Sequence, residues 1–67
     1  MNLEPVKSKA VAAIGYDAET KELQVRFTSG GLYSYPGVTG AQYLDLMAAK
    51  SKGRAVYALG KGKGKRL

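Results

Sequence analysis

Val25-Arg-Phe-Thr-Ser-Gly-Gly-Leu-Tyr-Ser-Tyr-Pro-Gly-Val38 is the stretch on which the fold turns. It carries the only Phe, two of the five Tyr and three of the nine Gly, so aromatic bulk and turn chemistry meet in one place. Just upstream and into it, Leu23, Val25 and Phe27 alternate with Gln24, Arg26 and Thr28. That period of two puts the apolar set on one face of a strand and the polar set on the other. Ser29-Gly30-Gly31 reads as a tight turn, because Gly takes positive φ without a Cβ penalty. Leu32-Tyr-Ser-Tyr35 returns as the partner strand, and Pro36 ends it by removing a ladder donor.

Upstream, Ala10-Val-Ala-Ala-Ile-Gly-Tyr16 is short and apolar. Its Val, Ile and Tyr favour a strand over a helix, and Gly15 marks a bulge or a close backbone approach. The polar connection Asp17–Glu22 joins it to the next strand, with Asp17 placed to accept from its own downstream backbone. Met1–Ser8 reads as an irregular lead-in. Three short strands with two hairpin connections make an antiparallel meander.

Downstream, Thr39-Gly-Ala-Gln42 matches a capping box, in which Thr39 and Gln42 each satisfy the other's backbone amide. Val38 before the cap and Tyr43 after it form a hydrophobic staple. The helix is expected from about Gly40 to Lys50. Tyr43, Leu46 and Met47 share its apolar face, flanked by Leu44 and Ala48. Lys50 and Lys52 suit the negative pole of the helix, and Gly53 reads as the residue just past it. Arg54–Leu59 fits either a second short helix or an extended segment. Gly60-Lys-Gly-Lys-Gly-Lys-Arg66 contains nothing to bury and reads as a flexible cationic tail. The expected fold class is α+β. It is a three-stranded antiparallel meander packed by one main C-terminal helix, with a single domain over residues 1–59 and a flexible Gly/Lys tail over 60–67.

Sixty-seven residues make one small domain, whose core supplies only roughly 3–5 kcal/mol of net stability. With no Cys and no His, neither a disulfide nor a zinc site is available to staple it. No apolar run approaches the length of a membrane span, about 20 residues. Met1-Asn-Leu-Glu-Pro5 lacks the charged and apolar regions of a signal peptide, so a cytoplasmic location without membrane contact is expected. Catalysis is not expected either. The serines have no candidate base, Asp17, Glu19 and Glu22 crowd one solvated turn, and Gly30-Gly31 lies in no phosphate-loop pattern. No cofactor or metal is implied.

Charge is the informative quantity. Residues 1–49 set Lys7, Lys9, Lys21 and Arg26 against Glu4, Asp17, Glu19, Glu22 and Asp45, while residues 50–67 hold seven cations and no acid. A basic excess confined to the last quarter of the chain is the footprint of a polyanion partner, set against the simpler reading of a solubilising tail. The candidate nucleic-acid-binding residues are Lys50, Lys52, Arg54, Tyr57, Lys61, Lys63, Lys65 and Arg66. Sheet aromatics beside a basic segment have two roles in other modules: some stack bases and others fill the core. If Leu23, Val25 and Phe27 face the helix, Tyr33 and Tyr35 opposite them face it too, which favours core for both. Tyr57, between Arg54 and Lys61, is open to either role.

The order Ser8, Val11, Ile14-Gly-Tyr-Asp17, then Leu23-x-Val25-x-Phe27-x-x-Gly30, then Tyr33-x-Tyr35-x-x-Val38, then Tyr43, Leu46 and Ala49-x-Ser51-x-Gly53 closely resembles the KTSC domain. This family is named for the C-terminus of some lysyl-tRNA synthetases and also occurs as short bacterial and phage proteins. The resemblance covers residues 8–53 and implies a β-meander packed by helices, with RNA or other nucleic-acid binding suspected from the synthetase context. After Gly53 the chain departs from the family pattern of aromatics and an Asn, offering Arg54-Ala-Val-Tyr57 and the Gly/Lys tail. Two functions from different classes follow. One is a non-catalytic module binding RNA or single-stranded DNA through the basic C-terminal segment. The other is a small protein-binding regulator, of the kind phages encode, docking on a host enzyme such as RNA polymerase or a nuclease. A purely structural or assembly role is compatible with the same residues.

Overall fold

A computed structural model describes residues 3–60 and 64–67. Among the described residues, the chain runs β1 (Glu4–Pro5), β2 (Val11–Asp17), β3 (Glu22–Phe27), β4 (Leu32–Tyr35), α1 (Gly40–Ala48), α2 (Lys52–Gly60) and β5 (Lys65–Arg66). All five strands form one antiparallel sheet, in chain order.

The central meander follows the pattern read from the sequence. Leu23 lies opposite Tyr16 on one side and Tyr35 on the other, and Val25 lies between Ile14 and Tyr33. Directly opposed residues share a face, so these side chains point together beneath the helices. Ile14, Leu23 and Val25 are fully buried and Tyr35 nearly so. Burial, and secondarily the neighbouring Tyr33, pushes the Tyr35 phenol above its ordinary value. Phe27 and Tyr33 are half-buried and meet edge to face, with ring centroids 5.4 Å apart. Parity therefore assigns Tyr33 and Tyr35 to the core side of the sheet.

β2 needs a further device. Val11 and Ile14 are three residues apart, yet both are fully buried, which a regular strand of period two forbids. A β-bulge between Val11 and Ala13 absorbs the extra residue and returns both side chains to one face. The bulge, one of the two readings offered for Gly15, lies instead at Ala12. Gly15 is buried and in register with Gln24. In the connection that follows, Asp17 Oδ1 accepts from the backbone N–H of Glu19 at 2.9 Å, as a turn starter should.

The sheet is wider than the three strands expected, for the same reason at both edges. A strand needs no buried side chain if an exposed ladder offers backbone partners. β2 recruits Glu4–Pro5 from the lead-in that the sequence left irregular, and the Val6 N–H donates to Ala12 O at 3.0 Å. β4 recruits Lys65–Arg66 from the segment expected to be a flexible tail. The Leu67 N–H extends that pairing to Leu32 O at 2.8 Å. Gly64 lets the chain enter β5 directly over an aromatic ring, since a Cβ there would lie 2.5 Å from Tyr35 Cε2. Flexibility as the description of residues 60–67 is thus corrected for 64–67; Lys61–Lys63 lie outside the described residues.

α1 begins as predicted. Thr39 Oγ1 accepts from the Gln42 N–H at 3.1 Å and Gln42 Oε1 accepts from the Thr39 N–H at 2.9 Å. The helix buries Leu46 and half-buries Tyr43 and Met47, while Leu44 stays exposed. Tyr43 stacks on Tyr16 with centroids 4.7 Å apart, and the Tyr16 hydroxyl donates to Val38 O, joining the cap to the sheet. α1 stops at Ala48, short of Lys50, because Ala49 turns extended. Residues 54–59 are helical, part of α2. Their local propensity is indifferent, and burial decides: Val56 is 1% exposed, with Ala55 and Leu59 packed against the same core. Gly53 is therefore not the residue beyond α1 but part of the first turn of α2. There a Cβ would lie 3.0 Å from the Ala10 side chain.

Candidate functional site

These contacts fix the course of α2. It starts against Ala10, beside the first residue of β2, and the chain leaving it reaches β4 and β5 at the far edge of the sheet. The basic residues singled out in the sequence are strung along this course. Lys50 is exposed at the joint between the helices. Arg54 is exposed, and Tyr57, three residues on and so on the same helical face, is 73% exposed. Lys65 and Arg66 are exposed on β5. In register, Arg66 lies opposite Tyr33 and Lys65 opposite Ser34, so the two cations sit on opposite faces of the edge strand. Lys61 and Lys63 lie outside the described residues.

Lys52 stands apart from the set. Its ammonium donates to Ala49 O at 2.6 Å and the side chain is half-buried. The contact places a cation on a free carbonyl at the C-terminal pole of α1, where it is stabilising. Lys52 therefore locks the α1–α2 joint as well as adding charge.

The fold adds three residues that charge counting missed. Lys7, Ser8 and Lys9 meet Lys50, Ser51 and Gly53 around a cleft of about 320 Å³, with Ala10 completing the lining and no carboxylate in it. In the sequence the two lysines cancel against acids that fold elsewhere. Asp17 ends β2, Glu19 lies on the β2–β3 connection and Glu22 starts β3. Thr28 holds the lead-in in place. Its N–H donates to Ala10 O at 2.9 Å and its hydroxyl to Lys9 O at 3.0 Å. Across the cleft, Ser51 precedes the first turn of α2, accepting at Oγ from the Arg54 N–H and at its carbonyl from the Ala55 N–H. Ser8 carries part of the family resemblance at one end of the chain, and Ser51 and Gly53 carry part of it near the other. In the fold the three share one cleft.

The open face of the sheet carries a different feature. Glu22 Oε2 accepts from Gln24 Nε2 at 3.0 Å and from Ser34 Oγ at 2.7 Å. Those two hydrogen bonds, Gln24's first, hold the Glu22 carboxyl below its ordinary value. Both donors fall on the same oxygen, so the carboxylate ties Gln24 of β3 to Ser34 of β4 across the open face. Among the described residues there is no group of three or more His, Cys, Asp or Glu side chains placed to hold a metal. Nor is any described helix long and apolar enough to cross a membrane.

Comparison with known proteins agrees with this architecture. The KTSC domain family matches residues 7–63. A protein of Tsukamurella paurometabola is 44% identical over 54 residues, covering 81% of each chain. One of Stutzerimonas stutzeri is 39% identical over 49 residues, covering 73% of this chain and 69% of its own. The crystal structure of a KTSC domain protein from Yersinia pestis superposes with a TM-score of 0.87 at 35% identity, covering 98% of this chain and 93% of that one. The match extends past Gly53, where the residue pattern departs from the family's, and takes in α2. The chain belongs to the KTSC domain family.

Proposed function

We propose that this KTSC domain is a non-catalytic module that binds single-stranded nucleic acid, RNA foremost, through its basic C-terminal segment. The observation that carries the reading is the exposed face of α2. Arg54 and Tyr57 sit one helical turn apart on it, in a stretch of the chain with seven cations and no acid. Cations neutralise phosphates and release counterions, while an exposed phenol ring offers a base a stacking surface with no sequence demand. Lys50 extends the charge at the start of the helix and Arg66, on the helix side of β5, beyond its end, with Lys65 on the other face of that edge strand. This reading assigns base contact to α2 rather than to the sheet, because Tyr33 and Tyr35 lie on the sheet's core face.

The test is fluorescence anisotropy of a labelled oligonucleotide as salt is varied. Single-strand affinity falls with a log–log slope of about −0.7 for each phosphate neutralised, so three contacts give about −2. Replacing Lys61, Lys63, Lys65 and Arg66 by Gln flattens the slope for every sequence alike. Removing them by truncation would confuse the result, because β5 would go with them. Binding that ignores salt, or none at about 10⁻⁴ M protein in low salt, overturns the reading. In that event a protein retained from nuclease-treated host lysate decides for the alternative, a small protein-binding regulator.

A further inference from the structure

We infer that the cleft between the lead-in and the α1–α2 joint is an anion site that takes a phosphate group. The inference stands apart from strand binding along α2: Lys50 is the one cation common to both, and Lys7, Ser8 and Lys9 lie outside the basic C-terminal segment. Three lysines line the cleft and no carboxylate does. An anion in the cleft would be attracted by the charges of Lys7, Lys9 and Lys50, with no lining carboxylate to offset that gain. The polar groups present match the need. Ser8 Oγ accepts long hydrogen bonds of 3.4 Å from the Ala10 and Val11 N–H groups. Ser51 Oγ accepts one of 3.4 Å from the Arg54 N–H. A hydroxyl that accepts from the backbone still has its own proton to donate, so each serine can present an O–H to a phosphate oxygen. Thr28 fixes the backbone at Lys9 and Ala10, and Lys52 fixes the joint that carries Lys50 and Ser51. Both walls are therefore held from behind before a ligand arrives, which reduces the ordering cost of binding. Gly53 keeps the walls close together, as a side chain there would press on Ala10. A volume of about 320 Å³ suits a phosphate-bearing group no larger than a nucleotide.

Two sources share this chemistry, a free phosphate compound and the terminal phosphate of a nucleic-acid strand. The full-length ¹⁵N-labelled protein is titrated with inorganic phosphate at constant ionic strength, with chloride as the control. Expected are saturating amide shifts at Ser8, Ala10, Ser51 and Gly53, weakened at least about tenfold by Lys7→Gln with Lys9→Gln. Lys65→Gln with Arg66→Gln leaves them unchanged. Shifts that never saturate, that chloride reproduces, or that are as large at Lys65 and Arg66 overturn the site. The same protein is then given one oligonucleotide with a 5′-phosphate or a 5′-hydroxyl. A preference for the phosphate that the Lys7/Lys9 pair erases assigns the ligand to a strand terminus. Equal binding with the phosphate shifts intact assigns it to a free phosphate compound. Arg54→Gln with Tyr57→Ala separates this site from the strand reading, because it weakens oligonucleotide binding and leaves the cleft's phosphate shifts in place.

Discussion

Replacing Val56 by Ala tests the element that carries the proposed interface. Val56 is 1% exposed and is the one fully buried side chain of α2 among those described. Losing two methyl groups from water-free surroundings costs about 1.6 kcal/mol. The space left behind adds up to about 1 kcal/mol, depending on how far Ala55 and Leu59 close over it. Ala is the better helix former and returns about 0.5 kcal/mol. The net loss of about 2 kcal/mol would take a large share of the stability of a domain this small. In a thermal scan it moves the midpoint down by about 8–16 °C. Urea unfolding followed by circular dichroism measures the same loss directly, and the m-value should not change if the helix unfolds with the sheet. Tyr57→Ala is the internal control. It alters the next residue of the same helix, but that side chain is 73% exposed and its loss should stay within about 0.5 kcal/mol. If Val56→Ala costs no more than Tyr57→Ala, α2 is not docked as described and the basic residues have no fixed course across the sheet.

Other expectations are narrower. Tyr57→Ala should weaken single-strand affinity by about 1–3 kcal/mol while leaving the salt slope intact, because it removes a stacking surface and no charge. Thr39→Ala should cost about 1 kcal/mol of stability in chemical denaturation, since it opens the capping box of α1. The Glu22 carboxyl is held below its ordinary value in the folded state, so the stability it confers is present above the ordinary carboxylate range and is lost as pH falls through the lowered value. Glu22→Gln should therefore differ from the parent at neutral pH and converge with it in acid, and by NMR titration Gln24→Ala should raise the Glu22 pKa more than Ser34→Ala does. Gly64→Ala should expel β5 from its place against Tyr35, abolishing exchange protection at the Leu67 amide while the β2–β4 amides keep theirs.

Legibility in the sequence followed the range of the forces involved. The hairpin and the start of α1 were readable because their causes are local: alternation at Leu23–Phe27, glycines at a turn, and Thr39 three residues from Gln42. Ala12 was not readable as a bulge, since the need for it arises only when Val11 and Ile14 must share a core supplied by other elements. β1 and β5 left no apolar signature, as they are held by backbone ladders at edges created by the meander. The helical state of residues 54–59 depended on what Val56 would meet. The two proposed sites were not equally legible. Lys50, Arg54 and Tyr57 stood out through a charge run, whereas Lys7 and Lys9 were concealed by acids near in sequence and differently placed in space.

The two edge strands have a consequence for how the molecule behaves in a crowd. A sheet built in chain order ends in two open ladders, each able to add a strand from another copy and so to start an unlimited stack. Here each end is only two residues long. One contains Pro5, which has no N–H to offer an incoming chain, and the other is Lys65–Arg66, whose charges repel an identical neighbour. The cations of β5 are thus expected to oppose edge-to-edge pairing with another copy, whatever the domain binds. Neutralising them in search of a lost partner should be accompanied by a check, by light scattering, that the protein has not begun to associate with itself.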